Sequence, residues 1–430
     1  MILPQPWVGP LYQRLAALQA PLRIGLIGAG AMGRGLLYQC CTTPGFKCVA
    51  VADITVDKAI ACARAMQLPY HIVSTAGEMQ DAIGRGELAV CEDGRLVAET
   101  AGAGILIEAS SAIGDAGSNS VAALETGKHV VMMNAEADLI FGPHLMKLAR
   151  DRHLAYTSCD GDQHGVIVRI IEEVQLWGLD LVMAGNIKGF LDRDSNPTKI
   201  VPEADARRLD YRMATAYTDG TKLCIEMALV ANALGLRTCV PGMYGPRAGH
   251  VREALQLFDF EALWAGRRPF VDYILGADPG GGVFVVGHCE TPYQREMLAY
   301  YKMGTGPFYL FYRPYHLCHV EAMRCVAEAA LDGRSLLQPA CGFRTNVYAY
   351  AKRDLRAGET LDGIGGYCCY GLIENCEKGR AHAGLPICLA HDLVLETDVA
   401  RNTPILLEHV TRPQDRIDFV LHAAAQAAVQ

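Results

Sequence analysis

Between Leu22 and Cys41 the chain reads LRIGLIGAGAMGRGLLYQCC, an apolar run, then three glycines at Gly28, Gly30 and Gly33, then the start of a helix. No other stretch limits the fold so tightly. A GxGxxG set between strand and helix uses its glycines for a tight turn, for backbone approach to a pyrophosphate, and for close helix packing. The helix N-terminal amides then face the anion. Asp53 stands at the end of the next strand, FKCVAVADI, 20 residues after Gly33, where a carboxylate accepts from ribose hydroxyls. Gly28, Ala29, Gly30, Ala31, Met32, Gly33 and Asp53, with Ser110 at the end of the strand ILIEAS, are therefore the expected cofactor residues. The cofactor is NAD or NADP, and the charge of Asp53 opposes a 2′-phosphate and favours NAD. Lys58 and Arg64 stand nearby to receive a phosphate should Asp53 turn away.

The strands FKCVAVADI, ILIEAS, KHVVMMN and HLAYTSCDGDQ alternate with helical stretches such as DKAIACARAM, which predicts an α/β fold with a doubly wound parallel sheet. Beyond it lie a long helix through VIVRIIEEVQLW, a strand LVMAGNIKG, two strands around the glycine-rich turn of VDYILGADPGGGVFVVGHCE, and a strand running into a helix from FYLFYRPYHL. That texture is α+β. From Pro339 the chain turns to short strands, and AKRDLRAGETL shares a cadence with ETDVARNTPIL. The expected division is residues 1–164, a dinucleotide-binding domain with an N-terminal helix; 165–338, an α+β substrate and oligomerisation domain; and 339–430, a small β-rich domain.

Composition removes several function classes. A net charge of −8 with scattered Lys and Arg offers no field for nucleic acid. The 16 cysteines sit in apolar runs and lack zinc spacing, so they read as buried thiols of a reducing cytoplasm, and the metal requirement stays open. Neither a leader peptide nor a membrane span is expected at the N-terminus or elsewhere. A cytoplasmic homodimer or homotetramer acting on a small molecule is the expected assembly.

The segment PEADARRLDYRMATAYTDGTKLCIEMA after such a domain resembles homoserine dehydrogenase, whose substrate domain carries a Glu, an Asp and a helical Lys in the order of Glu203, Asp219 and Lys222. The Asp-to-Lys step is one residue shorter here. NAEAD at Asn134, GDQ at Gly161, DGTK at Asp219, YRPYHL at Tyr312, AKRDLRAGETLDGIGGYCCYG at Ala351 and LPICLAH at Leu385 bring the likeness closer to homoserine dehydrogenase-like reductases with a C-terminal SAF domain. That group includes the type II, Brucella-like 1-deoxy-D-xylulose 5-phosphate reductoisomerases. The resemblance implies a Rossmann domain, a substrate domain, a SAF-like domain and hydride transfer to a small polar carbonyl or polyol. The NK dipeptide of true homoserine dehydrogenases is replaced by Asn134-Ala135-Glu136, which turns the implied substrate away from homoserine.

Reducing a carbonyl requires a group that steadies the developing alkoxide and supplies a proton. Lys222 is the first candidate, with Asp219 one turn away to hold it, and Lys188 in GNIKGF is a second amine; Glu203 completes the catalytic set that the resemblance implies. Against this stands an ordinary exposed i,i+3 ion pair, worth about 0.2–0.5 kcal/mol. Asn134, Glu136 and Asp138 follow a strand end that faces ligands in such sheets, with the two acids read as binding substrate hydroxyls or a divalent cation, or as helix caps. Gln163 and His164 lie at the expected junction of domains, while Arg313 and His316 offer an anion clamp in an aromatic setting. The turn holding Lys352 and Arg353 reads as fold-defining. Two other functions compete: a plain dehydrogenase of a hydroxy or amino acid, and an inactive nucleotide-sensing scaffold.

Overall fold

The computed structural model describes residues 8–207, 209–376 and 383–429. The first seven residues of the expected first domain, Arg208, and 377–382 and Gln430 of the expected third lie outside those ranges. The chain divides into two compact units, one of residues 1–162 with 317–338, the other of 163–316 with 339–430. This differs from three consecutive blocks, because the chain returns to the first unit before finishing in the second.

The first unit is a seven-stranded parallel sheet of β1 (Leu22–Ile27), β2 (Phe46–Ala52), β3 (Tyr70–Ile72), β4 (Leu88–Cys91), β5 (Ile105–Glu108), β6 (His129–Met132) and β7 (Tyr156–Ser158). Its order is β3-β4-β2-β1-β5-β6-β7. The chain leaves β1 toward β2 on one side and returns to β5 on the other, so the carboxyl ends of β1 and β5 flank the switch point where such sheets take ligands. β3, at the sheet's edge with His71 and Ile72 exposed, shows no apolar run in sequence. The helix Ala31–Thr42 buries Gly33, Leu36, Leu37 and Cys40, one stripe at i, i+3, i+4, i+7, against β1 and β2. The returning segment closes the sheet's far end: the helix Met323–Asp332 packs on β6 and β7, and Ser335 Oγ donates to the Tyr156 carbonyl at 2.7 Å. Met323, Cys325 and Val326 join the same apolar core as Ile24, Leu26 and Val131.

The second unit is built on a mixed sheet of β8 (Asp180–Lys188), β9 (Arg237–Thr238), β10 (Phe270–Leu275), β11 (Val283–His288) and β12 (Phe308–Arg313), in the order β12-β11-β8-β10-β9. The strands on either side of the glycine-rich turn are thus not neighbours. β8 lies between them, parallel to β10 and antiparallel to β11. Across the sheet lies the helix Thr221–Leu234, buried from Thr221 to Asn232 and capped by Gly235 at φ 74°. A helix apolar on every side belongs in an interior.

β13 (Thr345–Ala351), β14 (Thr360–Asp362), β15 (Cys369–Asn375) and β16 (His391–Val394) form two small antiparallel pairs, β13 with β15 and β14 with β16. The two cadenced segments of the sequence face each other, with Leu355 and Val399 exchanging two backbone hydrogen bonds of 2.9 Å. β13 and β15 pack on the buried helix, where Thr221 Oγ accepts from the Gly371 amide at 2.8 Å. Among the described residues no helix is long and apolar enough to cross a membrane.

Candidate active site

The glycine turn is a cradle made of backbone. Gly28 adopts φ 94°, and a Cβ there would meet the Ala109 carbonyl and Ser110 amide at 2.7 Å. A Cβ on Gly33 would meet the Gly28 carbonyl at 1.8 Å, so the helix Ala31–Thr42 seats on the turn only with glycine there. Gly30 is different: a Cβ there meets nothing within 4 Å. It is exposed and caps the helix without a side chain, which leaves the helix amides open toward an anion. Ala31 is exposed and Met32 half-buried beside it. Asp53 Oδ2 accepts from the Ala29 amide at 2.8 Å and Oδ1 from Thr55 at 2.9 Å, which fixes the carboxylate with further lone pairs on both oxygens. Next to it Ile54 is 88% exposed, a bare apolar face that sequence reading passed over. These residues fit a dinucleotide.

Across the switch point the polar residues hold one another. Ser110 donates its amide to Glu108 Oε1 at 2.8 Å, and its carbonyl accepts from Asn134 Nδ2 at 2.9 Å. Asn134 Oδ1 caps the helix Ala135–Asp151 by accepting from Ala137 at 3.0 Å. Glu108 is fully buried, Oε2 has no hydrogen-bond partner among the described residues, and burial pushes its pKa up to about 7. Asp138 differs from its expected role. It is 1% exposed, accepts from Tyr156 Oη at 2.5 Å and from Ser158 Oγ, and burial pushes its pKa to about 6 against those two donors. Its oxygens face the unit's own hydroxyls rather than a substrate. Glu136 is buried in the first turn of the same helix.

The opening of the helix Thr221–Leu234 gathers the polar cluster of the second unit. Lys222 and Asp219 are both buried, so they are no exposed surface pair. Asp219 ends the preceding helix Tyr211–Thr218, and Gly220 at φ 85° reverses the chain into the next. The Asp219 carboxylate does not hold Lys222. Its Oδ1 accepts from the Thr221 amide at 2.9 Å, and Oδ2 stands 2.9 Å from Lys352 Nζ in an ion pair that is not an aligned hydrogen bond. Lys352 is buried too and donates to the carbonyls of Ser195 at 2.7 Å and Gly366 at 2.8 Å. The turn after β13 thus reaches back to fix the start of the helix. Burial raises the Asp219 pKa, and Lys352 opposes that rise.

Lys188, at the end of β8, donates to the Tyr217 carbonyl at 2.6 Å. Burial lowers its pKa, against the carboxylates of Glu226 and Asp219. Glu226, one turn beyond Lys222, is 2% exposed. Two residues before Lys188 and on the same face of the strand is Asn186, 1% exposed, whose Oδ1 and Nδ2 have no hydrogen-bond partner among the described residues. Its neighbour across the sheet is Tyr273. Arg193 lies over the Tyr370 ring at 5.3 Å and reaches the Asp219 carbonyl at 3.4 Å. Sequence reading missed Asn186, Glu226 and Arg193. The apolar alternation of LVMAGNIKG with a polar Asn inside it was the one available signal.

The remaining expected residues lie elsewhere. Glu203 is on the surface, in an i,i+4 ion pair with Arg207 at 2.7 Å, rather than with Asp219 or Lys222. Its helix, Val201–Arg207, buries only Ala204 and leaves the acid outside. Gln163 and the buried His164 open the helix Gln163–Leu176, which packs on the helix Thr221–Leu234. Arg313 ends the edge strand β12 and lies over the Tyr315 ring at 4.5 Å; half-buried His316 follows.

Residues 161–322 match a family described as "Oxidoreductase DRL, catalytic domain", a span under half of the chain. No curated protein matches. Among solved structures, the chain is similar to myo-inositol dehydrogenase from Lactobacillus casei in complex with NAD(H) and myo-inositol. That match has 14% identity and a TM-score of 0.38, over 62% of this chain and 72% of that one. It is also similar to a DOX-P reductoisomerase in complex with magnesium, at 15% identity and a TM-score of 0.37, over 65% and 69%. A third is 1-deoxy-D-xylulose 5-phosphate reductoisomerase from Zymomonas mobilis in complex with NADPH, at 14% identity and 0.34, over 48% and 56%. Likeness at this level concerns the fold alone. The matched catalytic segment, joined to the dinucleotide turn of the first unit, supports an NAD(P)-dependent oxidoreductase as the class of this chain.

Proposed function

We propose that the protein transfers a hydride between a nicotinamide and a small polar carbonyl or polyol, and that the cluster around Lys222 handles the substrate oxygen. The observation that carries this reading is Asn186. A buried amide without partners costs about 1–3 kcal/mol, and a fold that keeps one beside Lys188 gains from it when a ligand arrives. A hydroxylated substrate supplies both a donor and an acceptor for that amide. Lys222 then steadies the developing alkoxide. Lys188, whose ammonium burial disfavours, is placed to pass a proton. Asp219 and Lys352 are positioning residues that fix the helix start.

The nicotinamide would supply the hydride, with Gly28 to Gly33 and Asp53 holding its dinucleotide. Ile54 offers a surface for the adenine, and Asp53 favours NAD. The sharpest form is a reductoisomerase acting on a sugar phosphate, in which Glu136 helps to position a divalent cation; a second copy covering the β12 edge would make the working form a homo-oligomer.

The test is a panel of polyols, hydroxy acids, aldehydes and sugar phosphates, with NAD(H) and NADP(H), read at the nicotinamide absorbance. Deoxyxylulose 5-phosphate is included with NADPH and Mg²⁺ or Mn²⁺. Turnover of one member is expected, and Asn186→Leu raises its KM about tenfold with thermal stability unchanged or improved. Cofactor binding with no turnover anywhere in the panel would instead indicate a sensing scaffold.

A further inference from the structure

At the far end of the helix Thr221–Leu234 a cavity of about 860 Å³ opens to solvent beside Gly235. Among the described residues its lining includes Arg237, Arg267, Arg268 and Arg344 and no Asp or Glu. For a chain of net charge −8 this is an unusual local excess of positive charge. We infer that the cavity is a binding site for a small organic phosphate, held by Arg237, Arg268 and Arg344, with its carbon part against Phe343 and Leu236.

The four arginines are not equivalent. Arg267 pairs with Asp180 at 2.9 Å and Glu290 at 3.4 Å and lies over the Trp264 ring, so it borders the site. Arg268 and Arg344 are exposed, and neither side chain has a carboxylate within ion-pair distance among the described residues. Arg237 is half-buried and held by the Leu263 carbonyl at 2.6 Å and the Cys239 sulfur at 3.4 Å. Its Nε is buried with no hydrogen-bond partner among the described residues. A guanidinium fixed at one edge with an unpartnered donor suits an oxyanion, and three arginines gathered with no counter-charge among the described residues repel each other until one arrives.

The bland alternative is that these arginines serve the negative end of the helix. The last carbonyls already have other donors. Ala231 accepts from Gly235 and Leu236, Asn232 from the Cys341 amide at 3.0 Å, and Ala233 from Cys341 Sγ at 3.5 Å. The size also fits: 860 Å³ lies within the range that takes a small organic molecule rather than a bare ion.

Cys341 is an exposed thiol in the lining and reports on occupancy, while Cys41, exposed in the first unit, serves as the control. With NADH saturating the glycine turn, iodoacetamide alkylation of both thiols is followed by peptide mass spectrometry at low ionic strength, with phenyl phosphate or inorganic phosphate added. Phenyl phosphate is expected to slow Cys341 about tenfold, at lower concentration than inorganic phosphate, and to leave Cys41 unchanged. R268A/R344A abolishes the protection, and R268A alone, an exposed change, weakens it should the double variant fail to fold. The site is refuted if Cys341 is not protected, if Cys41 is slowed equally, or if the variants are protected as well as the parent. Equal potency of inorganic phosphate overturns the assignment to an organic ligand.

Discussion

The glycine turn of the first unit is backbone, gathered within six residues, whereas the cluster of the second is side chains brought from β8, the start of a buried helix and the turn after β13. The first works by what is left out, a Cβ at each of three places. The second works by what is buried against cost, two lysines, two acids and an unpartnered amide. A site of absences tolerates little substitution but asks nothing of distant residues; a site of buried charges depends on each partner being in place.

The largest separation between the two regions should come from Lys222→Ala. Turnover falls by about 10²–10⁴-fold with NADH affinity, read by fluorescence titration, unchanged. Unchanged turnover would remove the second region from the chemistry. Lys352→Met comes next: it leaves Asp219 as an uncompensated buried charge, and urea unfolding should show a loss of about 3–5 kcal/mol, partly recovered by adding Asp219→Asn. Full stability in Lys352→Met would mean that the ion pair is not structural.

The third test concerns pH within the first region. Glu108, with a folded pKa of about 7 against an ordinary value of 4.5, holds its proton more tightly when folded. Its stabilising contribution is complete below pH 4.5 and lost as pH rises through 7, on the order of 3 kcal/mol in all. Glu108→Gln removes that slope, so the parent and variant diverge toward neutral pH, with the variant the more stable; parallel curves would show that Glu108 does not titrate there. The smallest effect belongs to Gly30→Ala. Its methyl meets nothing in the protein, so stability holds while cofactor affinity falls about tenfold. Lost stability would show that Gly30 is needed by the fold and not by the ligand.

That contrast also governs what could be read from sequence. The parallel sheet, its glycine turn and Asp53 were legible because they follow from local spacing, and so was the buried helix of Lys222. β3 was not, because an edge strand with His71 and Ile72 exposed carries no apolar run. The return of 317–338 to the first unit left no local mark, since packing of Met323 and Val326 against a distant core has no period that names its partner. Asp219 and Lys222 stand three apart in sequence, and that proximity suggested a pair; the turn at Gly220 sends the acid to Lys352 instead. Glu203 was placed by resemblance, and its helix is too sparsely buried to carry it inward. Asn186 gives only the weak signal of a polar residue inside an apolar strand, because nothing in sequence marks whether its amide finds partners.

The tie between Lys352 and Asp219 also sets an order in time. Lys352 is added 130 residues after Lys222 during synthesis, and until it is added the acid at the head of that helix lacks this counter-ion. The nucleotide turn is complete in covalent terms by residue 53, long before. A growing chain that has passed Lys222 but not Lys352 therefore carries an unlocked lysine helix, and the late segment acts as the latch that lets the cluster set.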